Sequence, residues 1–171
     1  MCDILQLPVR DCTKKNVPGV TLGYVVELEK VDTIGTATNG AVSTITLQAG
    51  ASWKTLIGLP KQAKANTNTK HNLESGTDYT VNTLSFRYPS LSKELHNSLE
   101  SYDNGVQCLF LMKHRDGRVF MYGDTVGCVL TESNGDTGTS AEGQFNGTDL
   151  TFIEDGASHR PYEFTGTLPT V

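Results

Sequence analysis

The sequence predicts a mainly β fold: an antiparallel β-sandwich or barrel of about seven or eight strands with one flanking α-helix over about residues 90–104. Three observations carry that expectation. Threonine occurs 22 times in 171 residues, and a side chain stiff at χ1 fits a pleated surface better than a helix interior. Several short runs alternate apolar and polar residues with the period of two that marks a half-buried strand. Between those runs lie turn-forming residues, including 17 glycines, that break the chain into short segments.

The elements follow in order. Residues 1–19 contain Pro8, Pro18 and Gly19 around the polar DCTKKN, which reads as an irregular arm. The remainder, 20–171, reads as one β-sandwich domain. "TLGYVVELEKV" (21–31) puts Tyr24, Val26 and Leu28 on one face, and "AVSTITL" (41–47) alternates in the same way. Asn39-Gly40 between them accepts the positive φ of a tight turn, so 21–48 is expected to form one hairpin. "GASWKTLIGLP" (50–60) is too short to choose between a strand and a helical turn. "KQAKANTNTKHNLESGTD" (61–78) has Leu73 as its only large apolar residue and shows neither period. A long polar loop is expected there, and such loops commonly carry function.

"YTVNTLSFRYP" (79–89) resumes as a strand that Pro89 ends. In "SLSKELHNSLESYDNG" (90–105), Leu91, Leu95, Leu99 and Tyr102 fall on one helical stripe. Ser90 or Ser92 can cap its start, and Asn104-Gly105 supplies a left-handed stop. "VQCLFLMKH", the turn RDG, "RVFMYG" and "TVGCVLTE" then predict a three-stranded meander over 106–132. The Gly/Ser/Thr/Asp-rich 133–149, with Phe145 as its only aromatic, is expected to be a second loop. "LTFIED" and "RPYEFTGTL" close the chain as short strands.

Composition narrows the function. A net charge of −5 and a pI near 5.3 argue against a nucleic-acid-coating protein, which needs a large positive surplus. Neither a signal peptide nor a membrane-length apolar run is evident, so a soluble protein made in the cytosol is expected, its thiols mostly reduced. The spacings of Cys2, Cys12, Cys108 and Cys128 match no zinc or redox motif. Cys108 and Cys128 fall on strands that can be neighbours, and buried free thiols are the simpler reading. No nucleophile elbow, H-E-x-x-H or phosphate loop occurs, and the acidic residues do not follow calcium-loop spacing. Asn146-Gly147-Thr148 fits a glycosylation acceptor but, with no secretory signal, reads as a turn. No catalytic, metal-ligating or cofactor-binding residue is therefore nominated.

The most concentrated charge is at "MKHRDGRVFMYG" (112–123), where Lys113, His114, Arg115 and Arg118 surround Asp116-Gly117. A two-residue turn would set Arg115 opposite Arg118, an arrangement that needs a neutralising partner. The tip can simply be solvated, can meet another subunit, or can touch nucleic acid. His71, His96, His114 and His159 all read as solvent-exposed.

Taken together, the arm (1–19), first hairpin (21–48), polar loop (61–78), single helix after a strand (90–104) and closing "GTDLTFIEDG…RPYEFTGTL" resemble the tail tube proteins of long-tailed bacteriophages, or a related phage virion protein of the same β-sandwich type. In that family such a domain forms hexameric rings that stack into a tube for DNA, neighbouring strands line the lumen, and an arm and a long loop bridge to the next ring. The resemblance implies a non-enzymatic virion subunit, made in the bacterial host cytoplasm, whose partners are copies of itself and other virion proteins, with transient DNA passage, no membrane and no cofactor. Its candidate subunit-contact residues are Lys61, Lys64, Lys70 and His71 in the loop and Lys113, Arg115 and Arg118 at the tip. An acidic total charge suits a conduit through which DNA slides. A capsid-decoration, head–tail connector or baseplate role stays open. So do two readings from other classes: a binding module for a carbohydrate or protein ligand using loops 61–78 and 133–149, and a small hydrolase built on His71, His159 and Asp155.

Overall fold

A computed structural model describes residues 19–56, 62–72, 77–88, 92–102, 104–137 and 146–169. Residues 1–18 of the arm, Lys61, Leu91 and Phe145 lie outside the described residues. The chain is mainly β with a single helix, as expected. Its strands are β1 (Val20–Glu27), β2 (Val31–Ile34), β3 (Ala41–Val42), β4 (Ile45–Leu47), β5 (Lys54–Leu56), β6 (Lys64–Asn72), β7 (Thr77–Tyr88), β8 (Cys108–His114), β9 (Val119–Tyr122), β10 (Val129–Asp136), β11 (Gly147–Ala157) and β12 (Glu163–Phe164). Helix α1 spans Lys93–Glu100 between β7 and β8.

A six-stranded sheet, in the order β3-β12-β9-β8-β1-β5, forms the centre. Its middle strand β8 reads CLFLMKH, and Cys108 to Met112 are all fully buried. An unbroken apolar run of this kind marks a strand covered on both faces. On one side Cys108, Phe110 and Met112 meet Leu84, Phe86, Leu150 and Phe152, which belong to a four-stranded sheet ordered β10-β11-β7-β6. Phe152 holds this first core together, with ring centroids 4.9 Å from Phe110, 5.7 Å from Tyr102 and 6.1 Å from Phe86. On the other side Leu109, Leu111, Tyr24, Val26 and Met121 pack against Val42, Phe164 and Trp53, and against residues of a two-stranded ribbon formed by β2 and β4.

The helix forms where the leucine stripe predicts it. Ser92 caps it, its Oγ accepting from the Leu95 N–H at 3.1 Å, and Asn104 and Gly105 both take positive φ after its end. Leu99, with Leu95 and Tyr102 beside it, packs onto the first core.

Three expected pairings are corrected. Residues 21–48 are not one hairpin: β1 pairs with β5 and β8, whereas β2 pairs with β4. Asn39-Gly40 does make a two-residue turn, closed by reciprocal Thr38–Ala41 backbone bonds of 2.9 and 3.1 Å, but it turns onto the short β3. The apolar face of β1 found a better partner in the more hydrophobic β8. The meander over 106–132 also divides. β8 and β9 pair in the central sheet, while β10 crosses to the four-stranded sheet and touches β8 only through the Cys108–Cys128 bridge. Third, the polar stretch 61–78 is strand over most of its described residues, with Lys61 and 73–76 outside them: β6 runs from Lys64 to Asn72 and pairs with β7, which starts at Thr77, over nine positions. Its inward positions carry Ala65, Thr67 and Thr69, small enough to lie against the sandwich without an apolar stripe. The second expected loop likewise contains strand, since β10 extends to Asp136 and β11 starts at Gly147.

Candidate assembly surface

The sheets end in different ways. Among the described residues the central sheet stops at β3 and β5, strands of two and three residues. Strands so short offer little unpaired backbone, a common device against edge-to-edge association. By contrast the four-stranded sheet ends at β6, nine residues, and β10, eight residues, and no described strand pairs with the outer side of either. Neither edge carries a proline among these residues.

The outer face of this sheet is a lattice of small polar side chains at one end and carries Tyr79, Val81, Ile153 and Val129 among polar residues toward the other. One row across it reads Lys64, Ser85, Thr151, Glu132, and the next two residues along reads Arg87, Asp149, Asn134. Arg87 grips Asp149 with both ends of its fork, Nε donating to Oδ1 and Nη2 to Oδ2, each at 2.6 Å. That hydrogen bond, opposed by slight burial and helped by the Arg87 charge, holds the Asp149 carboxyl below its ordinary pKa. At the far end of β6, His71 Nδ1 lies 2.7 Å from Asp78 Oδ1, and Lys70 Nζ sits 5.6 Å from the Tyr79 ring centroid. Of the contact residues nominated from sequence, Lys64, Lys70 and His71 thus lie on one open strand; Lys61 falls outside the described residues.

The basic tip is divided rather than concentrated. His114 and Arg118 close the hairpin, so the loop is three residues with Gly117 at φ +93°, the usual geometry when a left-handed residue completes a turn. Arg115 therefore does not face Arg118. Its backbone N–H donates to the Gly19 carbonyl at 3.1 Å. Arg118 folds back on Asp116, Nε donating at 2.8 Å, and lies over Phe120. Burial pulls the Asp116 carboxyl up in pKa, but the Arg118 hydrogen bonds and charge outweigh it and leave the carboxyl low. His114 is half-buried rather than exposed, its ring 4.9 Å from that of Phe120, and burial lowers its pKa. Lys113, Arg115 and Arg118 stay near one another in sequence, at a distance along the fold from the open strand β6 only partly bridged by a cleft of about 380 Å³. Thr67, Thr69, His114, Phe120, Tyr122 and Arg160 are among its lining residues.

Between the sheets lies a polar network that sequence reasoning missed. Glu154, 1 % exposed, accepts at Oε2 from Asn82 Nδ2 at 2.7 Å and from the Gly123 N–H at 2.9 Å. Asn82 in turn accepts from Thr67 at 2.8 Å. These residues alternate with apolar ones along β7 and β11, and the inward direction of Asn82 and Glu154 follows from the same period that points Leu84 and Phe152 inward. Only the polar identity of both concealed it.

Next to this network, His159 donates from Nδ1 to the Arg160 carbonyl at 2.9 Å and presents Nε2 to Asp124 Oδ2 at 3.2 Å and to Thr125 Oγ1 at 3.4 Å. Burial raises the Asp124 pKa, against the pull of His159 and with the repulsion of Glu154. A nucleophilic relay needs the carboxylate and the hydroxyl on opposite ring nitrogens. Here both approach the same one, so Thr125 is not activated. His71 and His159 have separate partners, Asp78 and Asp124, and Asp155 lies on the exposed face of β11, so the trio nominated for hydrolysis is not assembled by these contacts. Among the described residues no group of three His, Cys, Asp or Glu side chains could hold a metal ion, and no helix is long and apolar enough to cross a membrane.

The chain matches no family model, no curated protein and no solved structure.

Proposed function

We propose that this protein is a non-enzymatic structural subunit that assembles with copies of itself into rings, most closely of the tail-tube type, the rings stacking as a conduit for DNA inside a phage virion. One observation carries the assembly half: among the described residues the four-stranded sheet presents two long edges that no strand covers, while the edge strands of the central sheet are two and three residues long. Open edges are templates for strand addition. Two different edges on opposite sides of one sheet make a head-to-tail contact, which closes into a ring when the rotation between copies allows. The virion half rests on what remains of the resemblance after the corrections to 21–48 and 61–78: a mainly β domain, a single helix after a strand, and closing strands.

In this reading the outer face of the four-stranded sheet, with its Thr, Ser, Asn and paired charges, faces the lumen. Its cations Lys64, Lys70 and Arg87 are accompanied by Glu132, Asp136, Asp149 and Asp155, so a phosphate backbone meets no surplus of positive charge.

The test is light scattering on a size-exclusion column over a range of protein concentrations, with eluted peaks imaged by negative-stain electron microscopy. Rings with an open centre, growing into tubes with concentration, are the expected result. A monomer at every concentration would overturn the assembly reading and turn attention to ligand binding.

A further inference from the structure

We propose a specific register for the contact between copies: β6 of one copy lies antiparallel to β10 of the next, with Lys64 opposite Asp136, Asn66 opposite Asn134, and Asn68 opposite Glu132. This inference rests on the ring reading and specifies its interface.

Strand direction comes first. β10 is antiparallel to β11, β11 to β7, and β7 to β6, so β6 and β10 run in opposite directions within one copy. Rotation of a second copy about an axis lying along the strands preserves direction, and β6 of one then meets β10 of the other antiparallel. An even number of strands per copy makes the whole ring of sheets antiparallel without a mismatched seam.

Face and overlap then fix the register. Lys64, Asn66, Asn68 and Lys70 alternate onto the exposed face, and Glu132, Asn134 and Asp136 share it, since both sets lie in the same cross-strand rows. Sliding by an odd number of residues would turn one set into the core side, so only even offsets are allowed. β10 is irregular between Leu130 and Glu132, so its regular run Glu132–Asp136 carries the match, and Lys64 against Asp136 lays all of that run along β6 with the exposed faces aligned. A two-residue slip that sets Lys64 against Asn134 shortens that ladder, and the opposite slip, Asn66 against Asp136, keeps it but raises the stagger to six residues across four strands, a tilt of about 46° that lies past the roughly 35–45° of closed barrels.

Charge agrees with it. β6 carries Lys64, Lys70 and His71, while β10 carries Glu132 and Asp136 and no cation. The proposed register sets a lysine against an aspartate at one end and an asparagine pair in the middle. Like edges repel, which disfavours the isologous pairings β6 with β6 and β10 with β10 and directs growth head to tail. Asp136 also lies in the field of Arg87, so the acidic end of β10 joins the exposed face of its own copy to the edge of the next.

The geometry also suits closure. Within one copy Lys64 lies in the row of Glu132; moving it to Asp136 of the next copy is a stagger of four residues across four strands. At about 3.3 Å per residue and about 4.8 Å between strands, that tilts the strands by about 35°. Closed barrels have tilts of roughly 35–45°, and one residue of stagger per strand is the ratio found in eight-stranded barrels.

The experiment uses the full chain with Cys2→Ser and Cys12→Ser, and compares two double variants, Asn66→Cys with Asn134→Cys and Lys70→Cys with Glu132→Cys, under copper–phenanthroline oxidation. The first is expected to give a ladder of disulfide-linked oligomers on non-reducing gels, the second at least tenfold less. In parallel, Lys64→Glu should raise the concentration needed for assembly at least tenfold, and adding Asp136→Lys to it should restore assembly. A ladder from the second pair alone, or charge reversals with no effect on particles that still form, overturns the register and leaves the ring reading intact. A chain that stays monomeric by light scattering and gives no ladder from either pair overturns both.

Discussion

Gly123 and Gly117 offer a matched pair of backbone positions whose alanine variants should differ for a reason visible in the fold. Both hold positive φ, +86° and +93°, so each Gly→Ala change carries the left-handed cost of roughly 1–2 kcal/mol. At the hairpin tip Gly117 faces open space, with nothing within 4 Å of an added Cβ. Gly123 sits where the chain leaves the central sheet. An added Cβ there runs into the Cys108 carbonyl oxygen, with the Cys128 nitrogen at 3.0 Å and its Sγ at 3.2 Å. Those atoms belong to the backbone bridge Cys108–Cys128, closed by bonds of 2.8 and 2.9 Å, and cannot swing aside. Overpacking of a fixed interior adds about 1–3 kcal/mol; the Gly123 N–H bond to Glu154 is also strained, with a further cost on the order of 1 kcal/mol. Gly117→Ala should therefore lose about 1–2 kcal/mol and Gly123→Ala about 4 kcal/mol. With a urea m-value of roughly 2 kcal/mol/M for a domain of this size, the midpoints fall by about 0.5–1 M and about 2 M. Fluorescence of Trp53, the single tryptophan, and far-UV circular dichroism give the curves. Equal losses in the two variants would refute the crossing at Gly123 as a tightly packed junction.

Three further outcomes are expected. Phe152→Ala should cost about 4 kcal/mol in urea unfolding, since a fully buried ring with three aromatic neighbours is removed, and Phe152→Leu about 1–2 kcal/mol; a loss under about 1 kcal/mol for the alanine variant would mean that the two sheets do not close on this ring. The Asp149 pKa lies below its ordinary 3.8, so its contribution to stability is present above that value and lost as pH falls through the lower folded value; Asp149→Asn should flatten the decline of the thermal midpoint below about pH 4, and an unchanged slope would count against the Arg87 clasp. Burial pushes the Cys108 thiol up to about 12 and holds that of Cys128 well above its ordinary value; in a Cys2→Ser, Cys12→Ser background both should resist iodoacetamide at pH 8 until urea opens the fold, and native-state alkylation at the rate of a free thiol would contradict their burial.

The sequence is most transparent where one physical cause dominates. The apolar run at 108–112 reads as a strand, its burial on both faces explaining why it is unbroken, and the leucine stripe with Ser92 ahead of it reads as a capped helix. Asn39-Gly40 announced its turn correctly, but a turn does not reveal which strands it joins: β1 pairs with a strand more than eighty residues downstream, and no local period records that choice. β6 stayed hidden because its inward side uses Ala65, Thr67 and Thr69 in place of large apolar residues. Its two threonines are outnumbered by three asparagines and two lysines, residues depleted in strands, so propensity did not reveal it either, and its pairing with β7 is what makes it a strand. For the same reason Lys64, Lys70 and His71 were legible as charges but not as neighbours along one open edge. Glu154 and Asn82 were hidden by the assumption that inward positions are apolar, and the tip was misread by one residue because Arg-Asp-Gly fits both a two- and a three-residue loop.

The pairing of β12 with β3 sets a timetable. Glu163 and Phe164 lie parallel to Ala41 and Val42, and Phe164 and Val42 help to close the second core. A nascent chain growing at roughly 5–20 residues per second leaves β3 waiting on the order of ten seconds for its partner. Every strand of the four-stranded sheet has been made by residue 157, ahead of the segment that seals the layer beneath it. The four-stranded sheet is thus backed by a closed second core only once synthesis has passed residue 164, so in the proposed assembly the order of translation separates the finishing of one copy from its joining to the next.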